Sequence, residues 1–218
     1  MHKFPLLLVL ALCSLLLAPR SAATELTDLG QGLSYLRVHS VADAEAALRK
    51  AVPAAGALVL DLRYATADEA SAAMVKSALA GRPANAPLYI LVSPGTAAAL
   101  GPVIAAAPAV TLGAPDSVPA AKVKVHTDAA ADRRAYDALD AGTELSKLIT
   151  GKIEKERFDE ATLVKEFKDG QDATPPPPAD PTAPKTENPP KEAPAAAPID
   201  RVLQRAVNLH RAVQALRR

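Results

Sequence analysis

"LYILVSPGTAAALG", residues 88–101, decides the fold. Its first half is apolar on every position, as a strand covered on both faces requires. Ser93-Pro94-Gly95 then breaks the strand in a tight turn. Thr96 stands where a helix N-cap belongs, and Ala97-Ala98-Ala99 forms the first turn behind it. Strand, turn and helix start together present a side chain beside free backbone N–H groups, the frame that enzymes use for a nucleophile. Here that frame is filled with methyl groups.

Working outward, the same alternation repeats. "GLSYLRVHS" (32–40) has strand composition, and Ser40 is placed to cap the helix in "VADAEAALRKAV". "ALVLDLR" (57–63) predicts a second buried strand, followed by Thr66-Ala67-Asp68-Glu69 as a capping box. The helix it opens runs to about Ala80 and stops at Gly81. "AVTLG" (109–113) is a further strand, "AKVKVH" an edge strand, and "DAAADRRAYDALDAG" a helix capped by Asp128 and closed at Gly142. Unbroken alternation of strand and helix means successive βαβ units, an α/β domain with a mainly parallel sheet. A flavodoxin-like open sheet is the alternative, separable by strand order.

The chain ends differ from this domain. Residues 1–23 have a short basic start, an apolar run from Phe4 to Ala18, and small residues at Ser21 and Ala23, the layout of a signal peptide. The run is short for a membrane span. Cys13, the single cysteine, lies within it, and Leu12 before it disfavours a lipid anchor. Losing Lys3 and Arg20 leaves 23 basic against 24 acidic residues, so global charge supports neither nucleic acid nor an anionic membrane as partner. His39, His126 and His210 are far apart in sequence and read as surface residues, so no metal or other cofactor is expected. The sequence therefore predicts a periplasmic or secreted protein without an integral span after cleavage.

The predicted domain is 24–173. Residues 174–198, "TPPPPADPTAPKTENPPKEAPAAAP", hold ten prolines in 25 residues and predict an extended spacer rather than a core. Residues 199–218 form an amphipathic basic helix with Val202, Ala206, Leu209, Val213 and Leu216 at 4-3-4-3 spacing. It docks on its own domain, pairs with a partner or a second copy, or lies on a membrane surface; the spacing admits all three.

The order "LSYLRVHS…AALRKA…ALVLDLRYA…LYILVSPGTAAALG…VTLG", over about 32–113, resembles the catalytic core of the tail-specific (C-terminal processing) proteases, the S41 serine peptidases. "FDEATLVKEFKDGQ" (158–171) and "IDRVLQRAVNL" (199–209) are similar to that family's tail, while its PDZ domain has no counterpart. The resemblance implies a ClpP/crotonase-like fold and places the nucleophile at Ala98, the oxyanion glycine within Tyr64–Asp68, and the base lysine after Gly113. None of the three is present in kind. A methyl group cannot attack, and Asp68 sets negative charge where an oxyanion needs donors.

The expectation is an inactive peptidase-like module that binds a peptide or another envelope protein, with the terminal helix offering a surface for homo-oligomerisation. The alternative is an active serine endopeptidase using displaced residues, Ser93 and Lys122. Ser93 also reads as a turn residue, and Lys122 and Lys124 as the wet face of a strand. Asp61 and Arg63 read as a polar pair supporting loops, and Asp132-Arg133-Arg134 as a solvated helix face.

Overall fold

The computed structural model describes residues 26–150 and 198–217. Residues 1–23, read as a signal peptide, the 158–171 stretch and nearly all of the proline-rich segment lie outside the described residues. Six strands form one sheet in strictly sequential order: β1 (Leu26–Asp28), β2 (Leu33–Arg37), β3 (Ala57–Asp61), β4 (Leu88–Val92), β5 (Val110–Gly113) and β6 (Val123–Lys124). β1 pairs antiparallel with β2, and every other pairing is parallel. The fold is α/β as expected, and this order is not the flavodoxin one, in which the chain reverses direction across the sheet.

The sequential order has a physical consequence. Crossovers of one hand that always advance in one direction place all their helices on one face. That face is covered by α1 (Glu45–Ala51), α2 (Glu69–Ala80) and α3 (Gly101–Ala106). Leu36, Leu58, Leu60, Leu88 and Ile90 point into it, against Leu48, Val75 and Ile104. Yet β3 and β4 are buried at every position. Their other face, Val59, Tyr89 and Leu91 with Leu33 and Tyr35 of β2, needs a second layer. α4 (Ala129–Ala138), α5 (Leu145–Ile149) and α6 (Arg201–Leu216) come from the C-terminal part of the chain. α6 seats Val202, Leu203, Ala206 and Val207 on that face, with Leu145 and Ile149 of α5 beside them.

The terminal helix therefore docks on its own domain. Its buried side is turned from the predicted stripe: Leu203, Val207 and His210 are covered, while Leu216 is 88% exposed. The chain that leaves after Thr150 returns where it left, since Asp200 N–H donates to Leu148 O at 3.0 Å and Gln204 Nε2 to Ile149 O at 2.8 Å.

Two of these helix starts differ from the sequence expectation. Asp68, not Thr66, caps α2, accepting from Ser71 N at 2.8 Å. Thr66 is instead held in a bridge to Ser40, with its N–H on His39 O at 2.8 Å. Ser40 caps only a turn ahead of α1, its Oγ accepting from Asp43 N at 3.3 Å. Asp128 caps α4 as read. The β1–β2 hairpin was not foreseen: its strand is three exposed residues, and its turn uses positive φ at Gly30, Gln31 and Gly32.

Gly113, where β5 passes β4, is fixed by close approach. A Cβ there would lie 2.2 Å from Val92 O and 2.6 Å from Ser117 Oγ. The backbone carbonyl of Val92 cannot retreat without distorting the β4–β5 pairing, so Gly113→Ala is expected to destabilise the protein by about 1–3 kcal/mol in urea titration.

Candidate functional site

The C-terminal ends of β3, β4 and β5 meet at the turn the sequence singled out. Ser93 is only 2% exposed. Its hydroxyl donates to Arg63 O and accepts from Gly95 N at 3.0 Å. Its N–H donates to Thr96 Oγ1 at 3.0 Å, and that hydroxyl donates onward to Leu62 O at 3.1 Å. Thr96 is thus not the helix N-cap. It fastens the turn to the end of β3, and Ala97 precedes the 3-10 turn Ala98–Leu100 without a side-chain cap. A Cβ on Gly95 would sit 2.7 Å from the Tyr64 ring, so this turn packs closely on residues 62–64.

Ala98 is the first residue of the 3-10 turn after β4, and it is exposed. Lys122 lies elsewhere. Its backbone N–H donates to Thr111 Oγ1 at 2.9 Å and its Nζ to Ala109 O at 2.7 Å, both toward the start of β5. Thr111 is level with Ile90 on β4, three residues short of Ser93. That spacing amounts to about 10 Å along the strands, with two further strand spacings of about 5 Å each across them. Ser93 and Lys122 are not brought together. On the third expected component, Asp68 is spent on the α2 cap, and its hydrogen bonds from Ser71 hold its carboxyl below the usual range.

Directly beneath this turn lies the polar centre of the molecule. Arg63 is fully buried and bonded to three aspartates. Nη2 reaches Asp61 Oδ2 at 2.7 Å and Asp200 Oδ2 at 2.6 Å; Nη1 reaches Asp132 Oδ1 at 2.8 Å and Asp200 Oδ1 at 3.1 Å. Nε closes on Asp61 Oδ1 at 3.1 Å. Tyr35 Oη donates to Asp61 at 2.9 Å and Tyr64 Oη to Asp132 at 2.8 Å. Asp200 Oδ1 also caps α6, accepting from Leu203 N at 2.8 Å. The Tyr136 ring lies against the guanidinium at 5.3 Å.

One cation faces three carboxylates, and the tyrosine hydroxyls with the Leu203 and Arg63 backbone N–H groups supply further donors. Burial lifts the Asp132 carboxyl above its ordinary range, against the pull of Arg63 and Tyr64. Burial likewise raises the Tyr35 phenol, helped by Asp61. The cluster is closed to solvent, so its role is to join β3, α4 and α6.

This corrects two sequence readings. Asp132 is not on a solvated face, although its neighbour Arg133 is, pairing with Asp137 at 2.8 Å. Asp61 and Arg63 support not merely loops but the docking of the terminal helix. His210 is also not a surface residue: it is 1% exposed, with Nε2 at 3.2 Å from Gln31 O and its ring edge-on to Tyr89. His39 lies beside Tyr136, its Nδ1 at 3.2 Å from Tyr136 Oη. Among the described residues no group of three or more His, Cys, Asp or Glu side chains is arranged to hold a metal ion, the three aspartates here being gathered around Arg63, and no described helix is long and apolar enough to cross a membrane.

The sequence signal for the cluster was present but incomplete. Charged residues at positions 61 and 63 of an otherwise apolar strand implied partners, and the partners stand 69 and 137 residues away from Arg63. No protein-family model matches the chain, and no curated protein matches it.

Proposed function

We propose that the protein is an exported, catalytically silent relative of the tail-specific proteases, retaining a ClpP/crotonase-like frame as a binding module for peptides or for another envelope protein. The observation that carries this reading is the state of Ser93. A nucleophile needs an accessible hydroxyl and a base within hydrogen-bond reach. The Ser93 hydroxyl is instead buried and committed to the Arg63 carbonyl and the Gly95 amide, with Lys122 at the far end of β5. Support for the frame comes from the sequential parallel order, with all three crossover helices on one face. Support for export is the basic-apolar-small pattern of residues 1–23.

The test is cleavage of unstructured peptides alongside labelling by a serine-reactive fluorophosphonate. No turnover is expected from the native protein or from Ala98→Ser. Ala98 is exposed, so the added hydroxyl should move stability by less than about 0.5 kcal/mol. It should not create activity, because nucleophile, base and oxyanion donors act as a unit. Robust cleavage abolished by Ser93→Ala or Lys122→Ala overturns the proposal. Cleavage gained by Ala98→Ser does so as well, because it demands a base that the proposal says is missing.

A further inference from the structure

At the opposite end of the sheet, where β4 and β5 begin, a cavity of about 390 Å³ opens between the end of α6 and the 84–88 loop. That volume is in the range of small-ligand sites. Pro108 and Val213 contribute apolar wall, and Asn85, Tyr89, Lys122 and Arg217 contribute polar groups. No carboxylate lines it.

Three features make the cavity selective for negative charge. Lys122 Nζ is anchored by the Ala109 carbonyl at 2.7 Å, leaving its other N–H bonds to be directed outward. Among the described residues neither Lys122 nor Arg217 has a carboxylate partner, unlike the paired Arg37, Arg49, Arg63 and Arg133. Tyr89 is only 3% exposed and lines the cavity. Burial pushes its phenol above the ordinary range while the Arg217 charge pulls it back. Its hydroxyl is not among the buried unpartnered groups, so it opens to the cavity and can donate to an acceptor seated there.

We propose that this cavity binds a small organic carboxylate with an apolar body, its carboxylate between Lys122, Arg217 and the Tyr89 hydroxyl, its hydrocarbon part against Pro108 and Val213. An anion here gains charge-assisted hydrogen bonds from two cations that have no internal carboxylate partner among the described residues. The apolar wall favours a carbon skeleton over a bare inorganic ion.

The experiment titrates the purified protein with octanoate, with benzoate, and with inorganic phosphate as the head-group control. It is followed by calorimetry and by tyrosine difference absorbance, which no tryptophan obscures because the chain has none. Saturable binding of octanoate or benzoate is expected, with phosphate showing none below about 10 mM. Lys122→Met and Arg217→Gln should each weaken binding by about tenfold or more. Both positions are exposed, so circular dichroism should be unchanged. Tyr89→Phe should keep the fold and abolish the tyrosine signal on binding. The proposal is overturned if neither acid saturates below about 10 mM, if phosphate binds as well as octanoate, or if both charge variants bind like the native protein.

Discussion

Arg63→Met is expected to remove about 3–5 kcal/mol of stability at neutral pH, the usual result of deleting one partner of a buried ion pair. Total stability of a small domain is about 5–15 kcal/mol, so the variant should be marginally folded or unfolded at 37 °C. The reason lies in the charge left behind. Asp61, Asp132 and Asp200 meet at one guanidinium, and without it three carboxylates share a dry site with only neutral donors. Methionine fills the volume but neutralises nothing.

The pH dependence gives this prediction a sign. A carboxyl whose folded pKa is raised favours folding below its unfolded pKa, and that contribution is lost as pH rises through the folded value. Asp132 already has a raised value, from burial, with Arg63 its main counterweight. Removing Arg63 takes that counterweight away and raises it further. Acid should therefore rescue the variant: the gap to the native protein, measured by urea unfolding, should shrink between pH 7 and pH 4. A gap independent of pH, or one below about 1 kcal/mol, would show that the carboxylates are not buried together as described.

How much of this was legible beforehand can be seen in particular residues. The strands of "ALVLD" and "LYILV" were, because a run apolar on both faces admits few alternatives. The need for a second layer followed from the same runs, and α6 supplies it. Which side of α6 would turn inward was not legible. Val202 and Ala206 belong to two overlapping stripes on the helix, one continuing through Leu209 and Val213 and the other through Leu203, Val207 and His210. The choice was made by Asp200, whose bond to Arg63 fixes where the helix starts and hence which side it presents. No local pattern could report a contact across 137 residues. The caps failed for a related reason: Thr66 and Thr96 each sit at a competent N-cap position, but carbonyls of neighbouring strands competed for them.

Ending the chain at Thr150 is the second large change. Without α6 the sheet face formed by Tyr35, Val59, Tyr89 and Leu91 is uncovered, and Val202, Leu203 and Val207 leave the core with the helix. Burying each of those three side chains is worth about 1.5–3 kcal/mol, so their loss alone approaches the stability of a whole domain. Arg63 also loses Asp200, its closest carboxylate at 2.6 Å. The truncated protein is expected to aggregate or to bind a hydrophobic dye strongly, with loss of cooperative thermal unfolding. Leu203→Ala in the full chain should reproduce part of this, at about 2–5 kcal/mol, because Leu203 is fully buried at the first turn of the helix. A truncated protein that stayed monomeric, with native circular dichroism and an unchanged Tm, would contradict the account. The sheet's second face would then need no cover, and the run of apolar residues on both sides of β3 and β4 would have no structural cause.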